Sequence, residues 1–347
     1  MISRATSTCA SGIGRRAGSA RTARDAAGPA APCPPGSGLN QDNAQNPTRL
    51  QPQSTVLEIA LESDFDLEAT LNSGQAFRWR RTEHGWGGVI GAHAVCLRAQ
   101  GRRIQARTWP PVSDWGWLTQ YLQTDVNLEE VLRSFPDDAP MRAASAYCRG
   151  LRLLRQDPWE CLASFILSST KQIVQIRQIV ESLCQRFGAP LPPPPGSGLG
   201  DVWTFPSPAR LAGASETELR ACRMGFRAPY LLAAARSVAG GQSDLAGLGA
   251  RPLEEARAEL MRLPGVGPKI ADCVLLFAYG FPAAFPLDVW VLRALRRLYF
   301  PGRRSKLREL REFAATHFGP HAGYAQQYLF HYIRSPNAAL SRIRARL

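Results

Sequence analysis

RPLEEARAELMRLPGVGPKIADCVLLFAYGFPAAFPLDVWVLRALRRL, residues 251–298, reads as helix, tight turn, helix, loop, helix. Leu253, Ala256, Leu260 and Leu263 recur at the spacing of one buried helix face. Pro264 blocks that helix, and Gly265 and Gly267 supply the backbone freedom of a two-glycine hairpin. Pro268 suits the first turn of the next helix, where its missing N–H is not needed. Such a turn presents the N–H groups of a helix start at low steric cost. It is either a seat for a phosphate or an ordinary helical corner.

Lys269 follows at once, one of three lysines (Lys171, Lys269, Lys306) in a chain with 42 Lys and Arg. A guanidinium stays protonated at any accessible pH, so arginine cannot replace lysine where chemistry needs a neutral amine. A cation in a first turn opposes the helix dipole, which makes lysine a poor structural choice there. The same field, together with burial, favours the neutral amine, which can attack an electrophilic sugar carbon. The other role open to Lys269 is phosphate binding. Asp288 lies just before the apolar face Val291, Leu292, Leu295 and Leu298, an N-cap position. A carboxylate held rigidly at a helix start after Pro286 can also stabilise positive charge developing on a sugar, and the two roles are compatible.

The net charge of +14 suits a polyanionic partner, nucleic acid or an acidic membrane, and equally a basic surface kept for solubility; charge alone does not choose between them. No run approaches the 18 or so apolar residues of a membrane span, so a soluble protein is expected. The eight cysteines contain no CxxC pair, which argues against a zinc ribbon or a cysteine-ligated iron–sulfur cluster. Cys184 and Cys273 lie in apolar helical runs and read as small core residues.

Residues 1–55, rich in Ala, Gly, Pro, Ser and Arg without periodicity, read as a disordered extension or an organelle transit peptide. Residues 56–147 form a second region. It opens with short β-type runs, TVLEIAL, QAFRWR, GWGGVI, AVCLRA and RRIQART, which predict a small antiparallel sheet. From Val112 the helical period takes over, and residues 148–347 read as an α-helical domain, so the fold class is α+β. The Pro/Gly segment APLPPPPGSGLG (189–200) predicts an exposed loop. Ile173, Ile176, Val180, Leu183 and Phe187 mark a buried helix face, and Gly240–Gly241 stops the helix around Tyr230 to Val238.

LPGVGPKIADC (263–273) followed by FPLDV (285–289) resembles the hairpin and Gly/Pro-Asp loop of the helix-hairpin-helix DNA glycosylases, and within them the 8-oxoguanine DNA glycosylases. The likeness covers residues 56–335 and recurs in SGQAFRW (73–79), GLRLLRQDPWECLASFI (150–166), MGFRAPY (224–230) and HAGYAQQYLF (321–330). It implies a base-excision enzyme that flips oxidised purine out of duplex DNA, with Lys269 as nucleophile at C1′ and Asp288 as assisting carboxylate. Gly74 would accept the proton that N7 carries in 8-oxoguanine but not in guanine. Cys273 and Phe330 would sandwich the base, and Gln326 would read its Watson–Crick edge. Each fits elementary chemistry, since a flipped base needs close backbone approach, flat or polarisable walls and an amide. Taken singly, Gly74 also reads as a turn glycine, and Cys273 and Phe330 as core.

The likeness also assigns DNA contacts to Thr170, Lys171, Gln172, Gln175, Phe226, Arg227, Gly265, Gly267 and Trp290. Several depart from the family. Thr170, Lys171 and Gln172 stand where an Asn-rich run is usual, Gln175 where an Arg contacts the orphaned cytosine, and Trp290 where a His is usual, whereas Arg227 is retained. These changes bear on opposite-base preference more than on catalysis. Lys171 reads either as a contact to the gap left by the flipped base or as a solvated charge. The expected activity is glycosylase plus abasic-site lyase through a lysine Schiff base. No metal or cofactor is needed for the chemistry, and the hairpin carbonyls can hold a monovalent cation. Double-stranded DNA is the expected partner of a monomer, in the cytoplasm or nucleoid of a bacterium or the nucleus or mitochondrion of a eukaryote. The alternatives are a monofunctional alkylpurine glycosylase of the 3-methyladenine type, which needs no lysine at 269, and a non-catalytic DNA-binding module.

Overall fold

The computed structural model describes residues 56–335, which belong to one compact unit. The expected N-terminal extension and the last 12 positions, 336–347, lie outside the described residues.

Five antiparallel strands, β1 (Val56–Ala60), β2 (Arg80–Thr82), β3 (Gly85–Ile90), β4 (His93–Gln100) and β5 (Arg103–Trp109), form a sheet in the order β1-β5-β4-β3-β2. Register places Trp86 opposite Leu97, and Leu97 opposite Ala106. These residues share one face, which packs with Leu118 and Leu122 of helix Gly116–Leu122. Alternation therefore does what a half-buried strand requires. QAFRWR is the exception: only Arg80 joins a strand, because residues 73–79 leave helix Leu67–Asn72 as irregular chain whose Trp79 plugs the core. Trp79 packs on Gly88, where a Cβ would come within 2.6 Å of the indole.

The 189–200 segment also corrects the expectation. Pro190–Leu191 pairs with Val202–Trp203, and Leu199 is buried on the outer face of the sheet at Gly87, where a Cβ would lie 2.3 Å from its Cδ2. The prolines break helices as expected, but three small strand residues (Gly87, Ala94 and Cys96) leave a recess that the segment fills.

The helical layer is built around Pro158–Leu167, in which Trp159 and every residue from Cys161 to Leu167 are buried. A helix apolar on all sides belongs at a centre. Around it lie Ile173–Phe187, Ala228–Ala239, Pro268–Val274, Val289–Leu298 and Ala322–Ile333. Helix Ile173–Phe187 buries Ile176, Val180, Leu183 and Phe187, as its spacing predicts.

One side chain ties the sheet layer to the helical layer beside the future site. Gln75, fully buried, donates to the carbonyls of Thr70 (2.9 Å) and Arg152 (2.8 Å) and to Ser73 Oγ (3.1 Å). Its own carbonyl accepts from Leu154 N–H at 2.8 Å. A buried amide satisfied on both ends fixes its backbone, and with it Gly74 next door.

Candidate active site

Helix Leu253–Leu260 and helix Pro268–Val274 flank the hairpin, with Pro268 at the first turn as expected. Gly265 has φ +80°, and the ring of Tyr230 occupies the space of a Cβ, 2.6 Å away. Gly267 corrects the two-glycine reading. Its φ of −98° and ψ of −179° are extended backbone that any residue adopts, and a Cβ there would meet nothing within 4 Å. Only Gly265 is demanded by conformation; at Gly267 the missing side chain leaves open space before the helix N–H groups.

Lys269, in the first turn, points its amine at Ser168, donating to Oγ at 3.1 Å, and lies 5.0 Å from the centroid of the Phe165 ring. Ser168 Oγ itself donates to the Phe165 carbonyl at 2.7 Å, so a lone pair is left to receive the amine. Among the described residues no carboxylate is within ion-pair distance of Lys269. The amine faces a hydroxyl, a ring and a cavity.

That cavity, about 380 Å³, lies within the size range of small-ligand clefts, roughly 300–1,000 Å³. Lys269, Asp288, Gly74, Cys273, Gln326 and Phe330 all line it, joined by Lys171, Gln172 and Trp290. Residues far apart in the chain thus converge on one volume. Phe77, Phe165 and Phe277 form an aromatic wall, with ring centroids 5.5 and 5.6 Å apart in succession.

Asp288 is the N-cap of helix Val289–Leu298, its Oδ1 accepting from Trp290 N–H (2.9 Å) and Val291 N–H (2.8 Å). Burial pushes its carboxyl above the usual carboxylate range, while the Val291 N–H, the Lys269 charge, the Trp290 N–H and the Arg334 charge each pull it back. Cap and cavity wall are therefore the same side chain. The Cys273 thiol is pushed up to about 12 by burial, against the pull of Lys269, so it is a neutral, polarisable wall at physiological pH. Gln326 is 3% exposed, and its Oε1 is buried with no hydrogen-bond partner. A native interior rarely leaves such an atom unpaired, and an acceptor held ready beside a cavity is suited to a ligand. Gly74 has φ +85°, and a Cβ there would reach 2.6 Å from Ile173 Cδ1 and 3.4 Å from Phe330 Cε1, at the cavity wall. Both the conformation and the close approach require glycine.

Comparison with known proteins agrees with this assembly. Residues 58–162 match the 8-oxoguanine DNA glycosylase N-terminal domain, and residues 163–318 match the HhH-GPD superfamily of base excision DNA repair proteins. The chain is 33% identical to the N-glycosylase/DNA lyase OGG1 of Arabidopsis thaliana, over 77% of each protein. It is 31% identical to a probable N-glycosylase/DNA lyase of Methanothermobacter thermautotrophicus, over 81% of this chain and 97% of that protein. The chain belongs to the N-glycosylase/DNA lyase family. Among solved structures, the Clostridium acetobutylicum 8-oxoguanine glycosylase/lyase, bound to duplex DNA with cytosine opposite 8-oxoguanine, superimposes with a TM-score of 0.73. The identity is 30%, over 79% of this chain and 93% of that one.

In this N-glycosylase/DNA lyase the remaining DNA-contact candidates divide. Lys171 and Gln172 line the cavity, whereas Thr170, Gln175, Phe226 and Arg227 do not. Thr170 sits at φ +56°, a region a β-branched residue rarely adopts. Arg227 holds it there. The guanidinium, on a residue only 2% exposed, donates to the Ser169 carbonyl and to Thr170 Oγ1 (2.6 Å), as well as to the Met224 carbonyl (3.2 Å). Arg227 is thus a clamp on the turn in this structure rather than a group held out toward a base. Phe226, 53% exposed, covers that guanidinium from outside with its ring centroid 4.2 Å away. Gln175 spends its carbonyl on the Gln172 N–H at 3.1 Å, which leaves its two amide N–H donors free for other work.

Sequence reasoning missed Ser168, Phe165, Phe77 and Arg334, all of which line the cavity. Ser168 is the C-cap of the central helix, a position whose hydroxyl commonly serves its own backbone, and nothing in its spacing points to Lys269. Arg334 lies beyond the last quoted motif. Among the described residues no group of three or more His, Cys, Asp and Glu is placed to hold a metal ion, and no helix is long and apolar enough to cross a membrane.

Proposed function

We propose that this enzyme excises 8-oxoguanine from duplex DNA and then cleaves the strand at the resulting site, with Lys269 as nucleophile. The observation that carries the reading is the convergence of the Lys269 amine and the Asp288 carboxylate on one cavity whose other walls suit a flat purine. The neutral amine attacks C1′, the glycosidic bond breaks, and the base leaves with the bonding pair and takes up a proton. Asp288 stabilises the positive charge that builds on the sugar as that bond stretches. Ring opening gives an imine on Lys269. Loss of a C2′ proton then expels the 3′ phosphate, and water releases the aldehyde and the free lysine.

In the pocket the Gly74 carbonyl accepts from N7–H, Gln326 meets the Watson–Crick edge, and Cys273 and Phe330 hold the two faces of the base. Phosphates of the strand dock at the Gly265–Gly267 turn, and the Trp290 and Phe226 rings meet the DNA beside the flipped nucleotide. The enzyme acts as a monomer in the compartment that holds the genome. The fit to the Clostridium complex with 8-oxoguanine opposite cytosine supports this lesion over an alkylated purine.

Incubation with an 8-oxoguanine duplex under borohydride tests the scheme. Wild type should form a covalent adduct and cut the strand, while Lys269→Gln should do neither yet still bind the duplex, because most affinity comes from backbone contacts. Base release without any adduct would instead mark a monofunctional alkylpurine-type enzyme. An adduct that persists in Lys269→Gln would move the nucleophile to Lys171, the other amine in the cavity.

A further inference from the structure

Arg177 projects from helix Ile173–Phe187 and donates through Nη2 to Asn72 Oδ1 at 2.9 Å, while its Nε is buried without a hydrogen-bond partner. Arg334, directly after helix Ala322–Ile333, lies over Phe330, 4.9 Å from the ring centroid. Its Nη1 is 3.6 Å from where a Gly74 Cβ would stand, so it borders the base cavity. Among the described residues neither arginine makes an ion pair.

The two side chains flank one short stretch of chain, Arg177 bonded to Asn72 and Arg334 beside Gly74. Burial holds Arg334 below the ordinary guanidinium value, Asp288 acts in the opposite direction, and the Arg177 charge lowers Arg334 further. Burial likewise lowers Arg177. Asp288 makes no ion pair with either arginine, and its Oδ1 accepts from two helix N–H groups. Lys171 in the same cavity adds positive charge, and the neutral Cys273 thiol removes none. Arg177 is half-buried and Arg334 exposed, and with no anion paired to either among the described residues both sets of guanidinium donors are open to one.

We propose that Arg177 and Arg334, with Asn72 orienting the first, form a seat for a backbone phosphate of the damaged strand beside the base cavity, which Arg334 lines. The seat rests on the reading of the chain as a duplex-DNA enzyme. A fork of guanidinium donors matches phosphate oxygens in geometry as well as charge. Flipping a nucleotide into the cavity brings its flanking phosphates to the rim, so the seat holds the strand only while the base is inserted.

The test measures binding of an 8-oxoguanine duplex across a salt series, using the full chain with Lys269→Gln to prevent turnover. Arg334→Gln, Arg334→Lys and Arg177→Gln are each placed in that background. Each lost phosphate contact should make the slope of log affinity against log salt shallower by about 0.9. Both Gln variants should show this, whereas Arg334→Lys should keep most of the slope. If the parent binds the duplex with normal salt dependence and both Gln variants keep its slope, the seat is overturned, even where a variant melts early and the arginine proves structural. If the parent shows no salt-dependent duplex binding, the proposed function itself fails. A third arm uses deoxyguanosine monophosphate. Binding of that nucleotide that is lost in Arg334→Gln, with duplex slopes unchanged, would reassign the seat to a free nucleotide and overturn the strand.

Discussion

Two stretches meet at the cavity, and they are held in opposite ways. On one side, Lys269 and Asp288 occupy the first turn and the N-cap of two helices, so hydrogen bonds that every helix start needs also aim the reactive groups. On the other side, Ser168 to Gln172 form a turn with Thr170 in left-handed backbone, kept in place by a buried arginine from elsewhere in the chain. The first wall is rigid through local structure and, in the proposed mechanism, carries the chemistry. The second adds the Arg227 clamp to the local hydrogen bonds of a helix end and a helix start. Position can thus be conferred by secondary structure or by a tertiary clamp.

The comparison can be broken most decisively at Asp288. Asparagine caps helices nearly as well as aspartate, so Asp288→Asn should fold normally and lose only the charge. Single-turnover excision should fall by about 10²- to 10³-fold, the scale of removing one preorganised electrostatic group. Because burial raises the Asp288 pKa and the carboxylate is the working form, the wild-type rate should decline as pH falls through a value above the ordinary carboxylate, about 3.9. The Asn variant should lack that acid limb. A variant within tenfold of wild type, with the limb intact, would reduce Asp288 to a cap.

Gly74 gives the next largest effect. Alanine there needs both left-handed backbone and displacement of Ile173 Cδ1, a strain of about 1–3 kcal/mol, so excision of 8-oxoguanine should drop by roughly one to two decades. Cleavage of a preformed abasic site, which needs no base in the pocket, should change by less than about threefold. Equal losses on the two substrates would show that Gly74 shapes the fold rather than the base wall.

The smallest effect belongs to the helix start after the clamped turn. Gln175 presents neutral donors where the resemblance implies a cation, so excision opposite C, T, G and A should differ less sharply than in a relative with arginine there. Gln175→Arg should raise the preference for C by about tenfold, the low end of one bidentate base contact. A wild type already exclusive for C would place the reading of the opposite base outside Gln175, with Lys171 and a rearranged Arg227 as the groups to examine.

From sequence alone, the hairpin, the N-cap at Asp288, a small antiparallel sheet and most of the buried face of helix Ile173–Phe187 were legible, because each depends on neighbours within a few residues. Proline placement, glycine freedom and apolar period act locally, and so does the scarcity of lysine that singled out Lys269. The resemblance brought Gly74, Cys273, Gln326 and Phe330 to attention, but only the fold shows that a Cβ at Gly74 has no room and that Gln326 Oε1 is left unpaired. Tertiary packing also decided what composition misjudged. The proline-rich 189–200 segment lies down on the sheet because Gly87 leaves a recess for Leu199. The Arg227 guanidinium turns inward because the Ser169 and Thr170 acceptors are there to receive it. Long side chains go where distant parts of the chain place their partners, and no local pattern in the sequence records that.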